Sequence, residues 1–294
     1  MIHQNLFEYR NHRYLWWSLA LILFSSWLYV TQSDRQPPNG GTWQGYVLGT
    51  VAALLILQLS LLGVRKRRYR SRLGAVEGWA SAHIYLGAAV LVVGTLHCAL
   101  QFGWNVHTLA YVLMCAVIFS GFYGLYAYLV YPRRVAVNRS GGSREALFGE
   151  LYELNRKGIE VSQTCDPEVQ AVVASSIERT TLGGGVFAQL TAADHSTLLR
   201  RVEATASAPV SNRDQQAMVD FVARRIPRST KKFEAENLQH LLSVLCRRQS
   251  VLRRIRKDIQ YQGWLQVWLY VHVPLTIALL AALLVHVLSV FMYW

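Results

Sequence analysis

Residues 78–132 read GWASAHIYLGAAVLVVGTLHCALQFGWNVHTLAYVLMCAVIFSGFYGLYAYLVYP, a run of fifty-five without a Lys, Arg, Asp or Glu. An apolar helix crosses the hydrocarbon core of a bilayer in about 20 residues. The run is therefore long enough for two spans, folded back at Gly103-Trp104-Asn105. Three more stretches, 14–33, 36–64 and 259–294, are equally free of charge. Together they predict an all-α membrane protein with five transmembrane helices, at about 14–31, 45–64, 79–102, 107–131 and 263–293. The first could be a signal peptide, but Ser25-Ser26-Trp27 followed by Leu-Tyr-Val makes a poor cleavage site, so it is read as a span. The implied organisation is spans 1–4 in residues 1–132, a helical cytoplasmic insertion in 133–262, and span 5 in 263–294.

Composition agrees. The chain of 294 residues is 52% hydrophobic and only 16% charged, against about 25% charged in an ordinary soluble domain. This excludes disordered and collagen-like chains. Its net charge of +13 is confined to segments outside the spans. The run Arg65-Lys66-Arg67-Arg68-Tyr69-Arg70-Ser71-Arg72 supplies +6, and residues 132–262, with 21 basic and 14 acidic side chains, supply +7. Short basic loops stay cytoplasmic. The reading is thus a multi-pass protein of a bacterial inner (plasma) membrane, N-terminus and 133–262 inside, C-terminus periplasmic. Beside membrane helices, topogenesis and anionic lipid explain the basic runs more simply than nucleic acid does. Trp16, Trp17, Trp27, Trp43, Trp79, Trp104, Trp264 and Trp294 lie near the expected span ends, as an interfacial aromatic belt does.

Four cysteines, Cys98, Cys115, Cys165 and Cys246, form no CxxC or CxxCH. Disulfide scaffolds, iron–sulfur clusters and covalent haem attachment are unsupported.

Of nine histidines, four fall inside spans: His83 and His97 on span 3, His272 and His286 on span 5. His107 falls at the outer turn. Each pair is 14 residues apart, a rise of about 21 Å and about 40° short of four full turns. Both members then share one face, one near each leaflet. Spans 3 and 5 run in the same direction, so His83 meets His272 at an inner level and His97 meets His286 at an outer one. Two neutral imidazoles per level suit axial ligation of a haem b iron, with the porphyrin inside a four-helix bundle. A proton relay, a copper or zinc site, and plain packing are the alternatives; a lone copper or zinc usually takes three or four ligands. Polar groups are costly in a bilayer, which weighs against four idle histidines. Gly87 and Gly94 lie on the His83 face, and Ser120, Gly121 and Gly124 on span 4; glycine admits a flat macrocycle or a neighbouring helix. The sites expected to bind cofactor are therefore His83, His97, His272 and His286, with Gly87, Gly94, Gly121 and Gly124 around them. Pro274 should kink span 5.

The segments Trp79-Ala-Ser-Ala-His83-Ile-Tyr-Leu-Gly87, Tyr270-Val-His272 and Val285-His286 resemble the transmembrane dihaem cytochromes b, of the ferric-reductase-like and cytochrome b561-like kind. The resemblance covers the membrane helices, less than half of the chain. It implies two stacked b haems, the inner on His83/His272 and the outer on His97/His286, carrying electrons across the membrane. The chain ends at Trp294 without a flavin and nicotinamide module, and Leu182-Gly183-Gly184-Gly185 lacks the spacing of a dinucleotide fingerprint. The Pro-Glu-Trp-Tyr motif of respiratory cytochrome b is also missing.

The insertion reads as helical. Residues 144–157 are amphipathic, Asp166-Pro167-Glu168 starts a helix, and Ser211-Asn-Arg-Asp214 opens another through Ile226. From Lys231 to Gln260, Leu238, Leu241, Leu245, Leu252, Ile255 and Ile259 form a stripe that must be buried. Arg247, Arg248, Arg253, Arg254, Arg256 and Lys257 beside it point to lipid headgroups or to an acidic protein surface. His195 and His240 fit ordinary surface or packing roles.

The function these features lead to is an electron-transfer subunit of an oxidoreductase in a respiratory chain. It would work between a quinone or cytoplasmic donor and a periplasmic acceptor such as a c-type cytochrome or another redox subunit. The alternatives are the membrane part of a ferric-reductase-type enzyme whose flavin module is a separate chain, and a non-enzymatic scaffold or sensor.

Overall fold

The computed structural model describes residues 7–32, 38–68, 74–201, 207–228 and 232–292. His3, Asp34, Arg35, the end of the basic run after Arg68, and Trp294 lie outside the described residues. The chain forms two units, one of residues 1–129 with 267–294 and one of residues 130–266.

The first unit is helical. Its helices are α1 (Arg13–Val30), α2 (Trp43–Ser60), the short α3 (Leu62–Arg67) and α4 (Val76–Cys98). It also contains the apolar parts of α5 (Val106–Arg139) and of the helix ending at Met292. Four helical stretches are long and apolar enough to cross a membrane: Trp43–Arg67, Val76–Cys98, and windows within Val106–Ser162 and Lys232–Met292. The chain is thus a mainly helical protein of membrane-spanning character. α1 is not among the four. It is eighteen residues long, and Arg13, Tyr14, Trp16, Trp17, Trp27 and Tyr29 dilute its aliphatic content.

Caps set the helix ends. Thr42 accepts from the Gly45 N–H at the start of α2, and Asn105 accepts from the Thr108 N–H at the start of α5. α4 stops where Ala99 and Leu100 take positive φ. Between the helices, Leu28, Leu48, Ala52 and Val93 form one apolar cluster, and Ile56, Val90, Met114 and Leu279 another. Ser18 of α1 donates to the Tyr85 carbonyl of α4 at 3.0 Å, so one of the few polar groups in the bundle is satisfied.

The second unit holds α6 (Arg144–Ser162), α7 (Pro167–Glu178), α8 (Val186–Thr191), β1 (Thr197–Arg201), β2 (Ser207–Ser211) and α9 (Gln216–Ala223). It also holds the first part of α10 (Lys232–Met292), which continues as a helix through Pro274. β1 and β2 form an antiparallel hairpin in which Leu198 faces Val210 and Leu199 faces Pro209. This hairpin stands in a segment expected to be helical. Ser211 ends a strand rather than opening a helix, and α9 begins only at Gln216. Val169, Val172 and Val173 of α7 pack on Leu198, Met218 and Val222, and on Leu238, Leu241 and Leu245 of α10. Leu147 and Leu151 of α6 pack on Val251, Leu252 and Ile255 of α10. The leucine stripe of α10 is thus the spine of this core.

Of the two partners expected for the basic residues of α10, the acidic protein surface is found within the same unit. Most of them bind within the unit rather than facing headgroups. Arg248 and Arg256 are buried. Arg248 donates to Asn155, Gln215 and Thr180, and burial, then the charge of Arg256, lowers its guanidinium to a pKa of about 10. Arg256 pairs with Asp194, Arg247 with Glu150 and Arg253 with Asp214. Arg254 donates to the Asn138 carbonyl and Ser140. Lys257 is exposed.

Candidate functional site

The four span histidines lie in the first unit, all half-buried. Each has its Nδ1 beside a protein partner, and the partner decides the tautomer in three cases. His83 Nδ1 is 3.1 Å from the Leu59 carbonyl and His97 Nδ1 is 2.8 Å from the Gly45 carbonyl. A carbonyl only accepts, so each Nδ1 donates, and in the neutral ring Nε2 keeps its lone pair. Leu59 lies in the last turn of α2, where carbonyls are short of helical partners.

His272 reaches the same state by another route. Its Nδ1 is 2.7 Å from Ser120 Oγ, and that hydroxyl donates its proton to the Val117 carbonyl at 2.8 Å. The serine oxygen therefore accepts from His272, and Nε2 is again left with its lone pair. Trp268 tilts against the His272 ring at 5.4 Å between centroids and donates its indole N–H to the Ser120 carbonyl at 2.8 Å. His286 differs, because its Nδ1 meets the Nδ1 of His107, so one of these two rings donates to the other.

Of the expected pairs, the outer one is brought together: the rings of His97 and His286 are 6.0 Å apart between centroids and nearly perpendicular. His107 adds a third ring 4.5 Å from His286. At the inner level no ring contact joins His83 and His272 among the described residues; each is held by its own partner, the Leu59 carbonyl and Ser120. Among the described residues, no group of three or more His, Cys, Asp and Glu side chains is arranged to hold a lone metal ion.

The glycines differ in what they face. Gly121 lies beside His272, where a Cβ would sit 3.7 Å from Cε1. Gly87 faces Leu59, Gly94 faces Met114, and Gly124 faces the indole of Trp268. Gly94 and Gly124 thus admit a neighbouring side chain, and the space at Gly124 lets Trp268 reach both Ser120 and His272. Around His97 the close approaches come from Gly40 and Gly49. A Cβ on Gly49 would lie 2.7 Å from His97 Cε1 and 2.9 Å from Nδ1, and one on Gly40 3.3 Å from Cε1.

Comparison with protein-family models, curated proteins and solved structures gives no match. What the chain does therefore rests on its own residues.

His107, Trp268, Gly45 and Gly49 carry geometry that the sequence reading did not assign. Gly45-Tyr-Val-Leu-Gly49 has the spacing by which small residues let helices approach closely, and that spacing is the signal that marks this site. His107 gives no local signal, since its partner His286 is 179 residues away.

Proposed function

We propose that the chain is a dihaem b-type membrane cytochrome subunit, moving electrons between a quinone or cytoplasmic donor and a periplasmic acceptor such as a c-type cytochrome. The supporting observation is the set of Nδ1 partners. Histidines that ligate metals commonly donate the other ring nitrogen to a carbonyl or a similar acceptor, which fixes the tautomer and the ring plane. His83, His97 and His272 each do so, and each keeps an Nε2 lone pair with no proton on it.

The residues fit the group. Neutral imidazoles with a free Nε2 are the donors that a b haem would take. The rings of His97 and His286 stand 6.0 Å apart. The Gly49 backbone leaves room for the His97 ring, a space that any Cβ would fill. His83 and His272 would hold the inner haem, His97 and His286 the outer. Bound there, haem b would supply a one-electron iron couple. The protein's own work is to hold the four rings, keep Nε2 unprotonated, and exclude water with the apolar clusters around Leu48 and Val90.

In this reading α1 is a fifth span. The N-terminus and residues 133–262 face the cytoplasm of a bacterium, and the C-terminus faces the periplasm, because the basic segments share one side. The test is a reduced-minus-oxidised spectrum and a haem count on the purified chain. Two b haems per chain are expected, falling to one in His97→Ala with the inner haem retained. A chain without b-type bands refutes the proposal.

A further inference from the structure

Two helices of the second unit pass between charged and uncharged sequence at one level. On α5 the last uncharged residues are Tyr131 and Pro132, followed by Arg133 and Arg134. On α10 the last charge before the apolar stretch is Asp258, with Tyr261 three residues on. Tyr131 and Tyr261 stack, 5.8 Å between centroids. α5 therefore leaves its apolar stretch at the level where α10 enters its own. Arg133 and Arg134 are exposed and have no hydrogen-bond or ion-pair partner among the described residues. Tyrosines followed by unpaired basic side chains at the end of an apolar helix mark the headgroup layer of a bilayer.

The segment 181–190 climbs α10 to that level. Arg256 donates to the Thr181 carbonyl, and Leu182 packs on the cluster of Leu252 and Ile255. The chain then bends at Gly183 and Gly184, both at positive φ, into α8. Gln260 donates to the Leu190 carbonyl at 2.8 Å. A Cβ on Gly263 would lie 3.4 Å from Leu190 Cδ2, so this side chain rests on the α10 backbone two residues past Tyr261. From Arg256 to Gly263 the helix rises about 10 Å. α8 thus stands at the boundary with Leu190 turned to α10. Its other apolar side chains are uncovered: Val186 is 66% exposed and Phe187 79%.

We infer that α8 is an interfacial anchor, with Val186 and Phe187 seated in the headgroup–acyl boundary beside the point where α10 enters the bilayer. A short helix lying in the interface buries its apolar face in this way. Lipid is the occupant that the area allows. A valine and a phenylalanine fall far short of the about 800 Å² per partner that a stable protein interface buries. Phe233 provides the contrast. It is 71% exposed near the start of α10, 28 residues before Tyr261, or about 42 Å along the helix. The inference concerns how the second unit is seated on the membrane, and it holds with or without haem.

The test uses the full chain in phosphatidylcholine vesicles, carrying the photocrosslinker p-benzoylphenylalanine at position 187 or, as control, at position 233. After irradiation, mass spectrometry of tryptic peptides reads what each position has captured. Phospholipid adducts at 187 should exceed those at 233 at least tenfold. Lipid capture at 187 no greater than at 233, or capture of a second copy of the chain instead of lipid, overturns the inference. Hydrogen exchange in the same vesicles tests the natural side chain. Amides of residues 186–191 should exchange at least tenfold faster in Phe187→Ser than in the parent, while those of residues 169–173 in α7 stay unchanged. Exchange of 186–191 indifferent to Phe187→Ser also overturns it.

Discussion

His272 Nδ1 donates to Ser120 Oγ across 2.7 Å, and the serine can accept because its own proton is already given to the Val117 carbonyl. One hydroxyl thus fixes the tautomer of a histidine 152 residues away. Trp268, held by the carbonyl of the same serine, limits the ring's tilt. Ser120→Ala should free the His272 ring and allow the other tautomer. Loss of such a partner typically costs about 10–100-fold in metal affinity. The expected outcome is partial loss of the inner haem and an altered low-spin EPR signal from that centre, with the outer haem unchanged. Equal loss of both haems would place Ser120 in general folding instead.

At the outer level the corresponding constraint is space. Gly49 leaves His97 a position that a methyl group would occupy, at 2.7 Å from Cε1 and 2.9 Å from Nδ1. Both contacts are to a ring bonded to the Gly45 carbonyl of the same helix, so the ring cannot move off a methyl group at Gly49 without straining that bond. Gly49→Ala should push His97 off its partner and remove the outer haem selectively. Haem content near one per chain, with the inner spectrum retained, is the result to look for. Gly63, which has no neighbour near its missing Cβ, provides the control, and Gly63→Ala should keep both haems.

How far the sequence carried depended on the range of the signal. Long uncharged runs report burial in lipid directly, so the helices through His83, His97, His272 and His286 were legible from composition. The leucine stripe of α10 was legible too, because a helical period is local. The hairpin was not. β1 is Thr-Leu-Leu-Arg-Arg and β2 contains Pro209, so neither strand alternates cleanly, and only Leu198 of β1 is fully committed to the core. Which acidic surface the α10 arginines meet was not legible, because Asp194 and Asp214 arrive from that hairpin region. His107 and Ser120 lie far in sequence from the rings they hold, and no spacing rule connects them.

Cysteine chemistry offers a check on the second unit. Cys165 is buried among Val169 and its neighbours, and burial raises its thiol above the ordinary range. Cys246 is exposed on α10. Since the thiolate is the reactive form, iodoacetamide at pH 8 should label Cys246 promptly and Cys165 slowly. Raising the pH should speed Cys165 only above the range where ordinary thiols already react. Mass spectrometry of tryptic peptides reads both sites. Comparable labelling of the two at pH 8 would mean that the core around Val169 is open.

The Arg256–Asp194 pair allows the energetics of that core to be measured. Asp194 is 5% exposed and Arg256 7%, with 2.8 Å between them. Asp194 also accepts from the backbone N–H groups of Ser196 and Asp214, so it ties the hairpin region to α10. Asp194→Ala leaves a buried guanidinium without its counter-charge and two amides without an acceptor. Breaking a buried pair from one side costs about 3–5 kcal/mol. Arg253→Gln removes a pair to Asp214 that is largely exposed, 54% on the arginine side, and such pairs contribute less than about 1 kcal/mol. Thermal unfolding of the full chain, followed by circular dichroism, should therefore show a large drop for Asp194→Ala and a small one for Arg253→Gln. If the two shifts are equal, the ion pairs of α10 act as surface charges, and lipid headgroups become the better of the two partners that the sequence suggested.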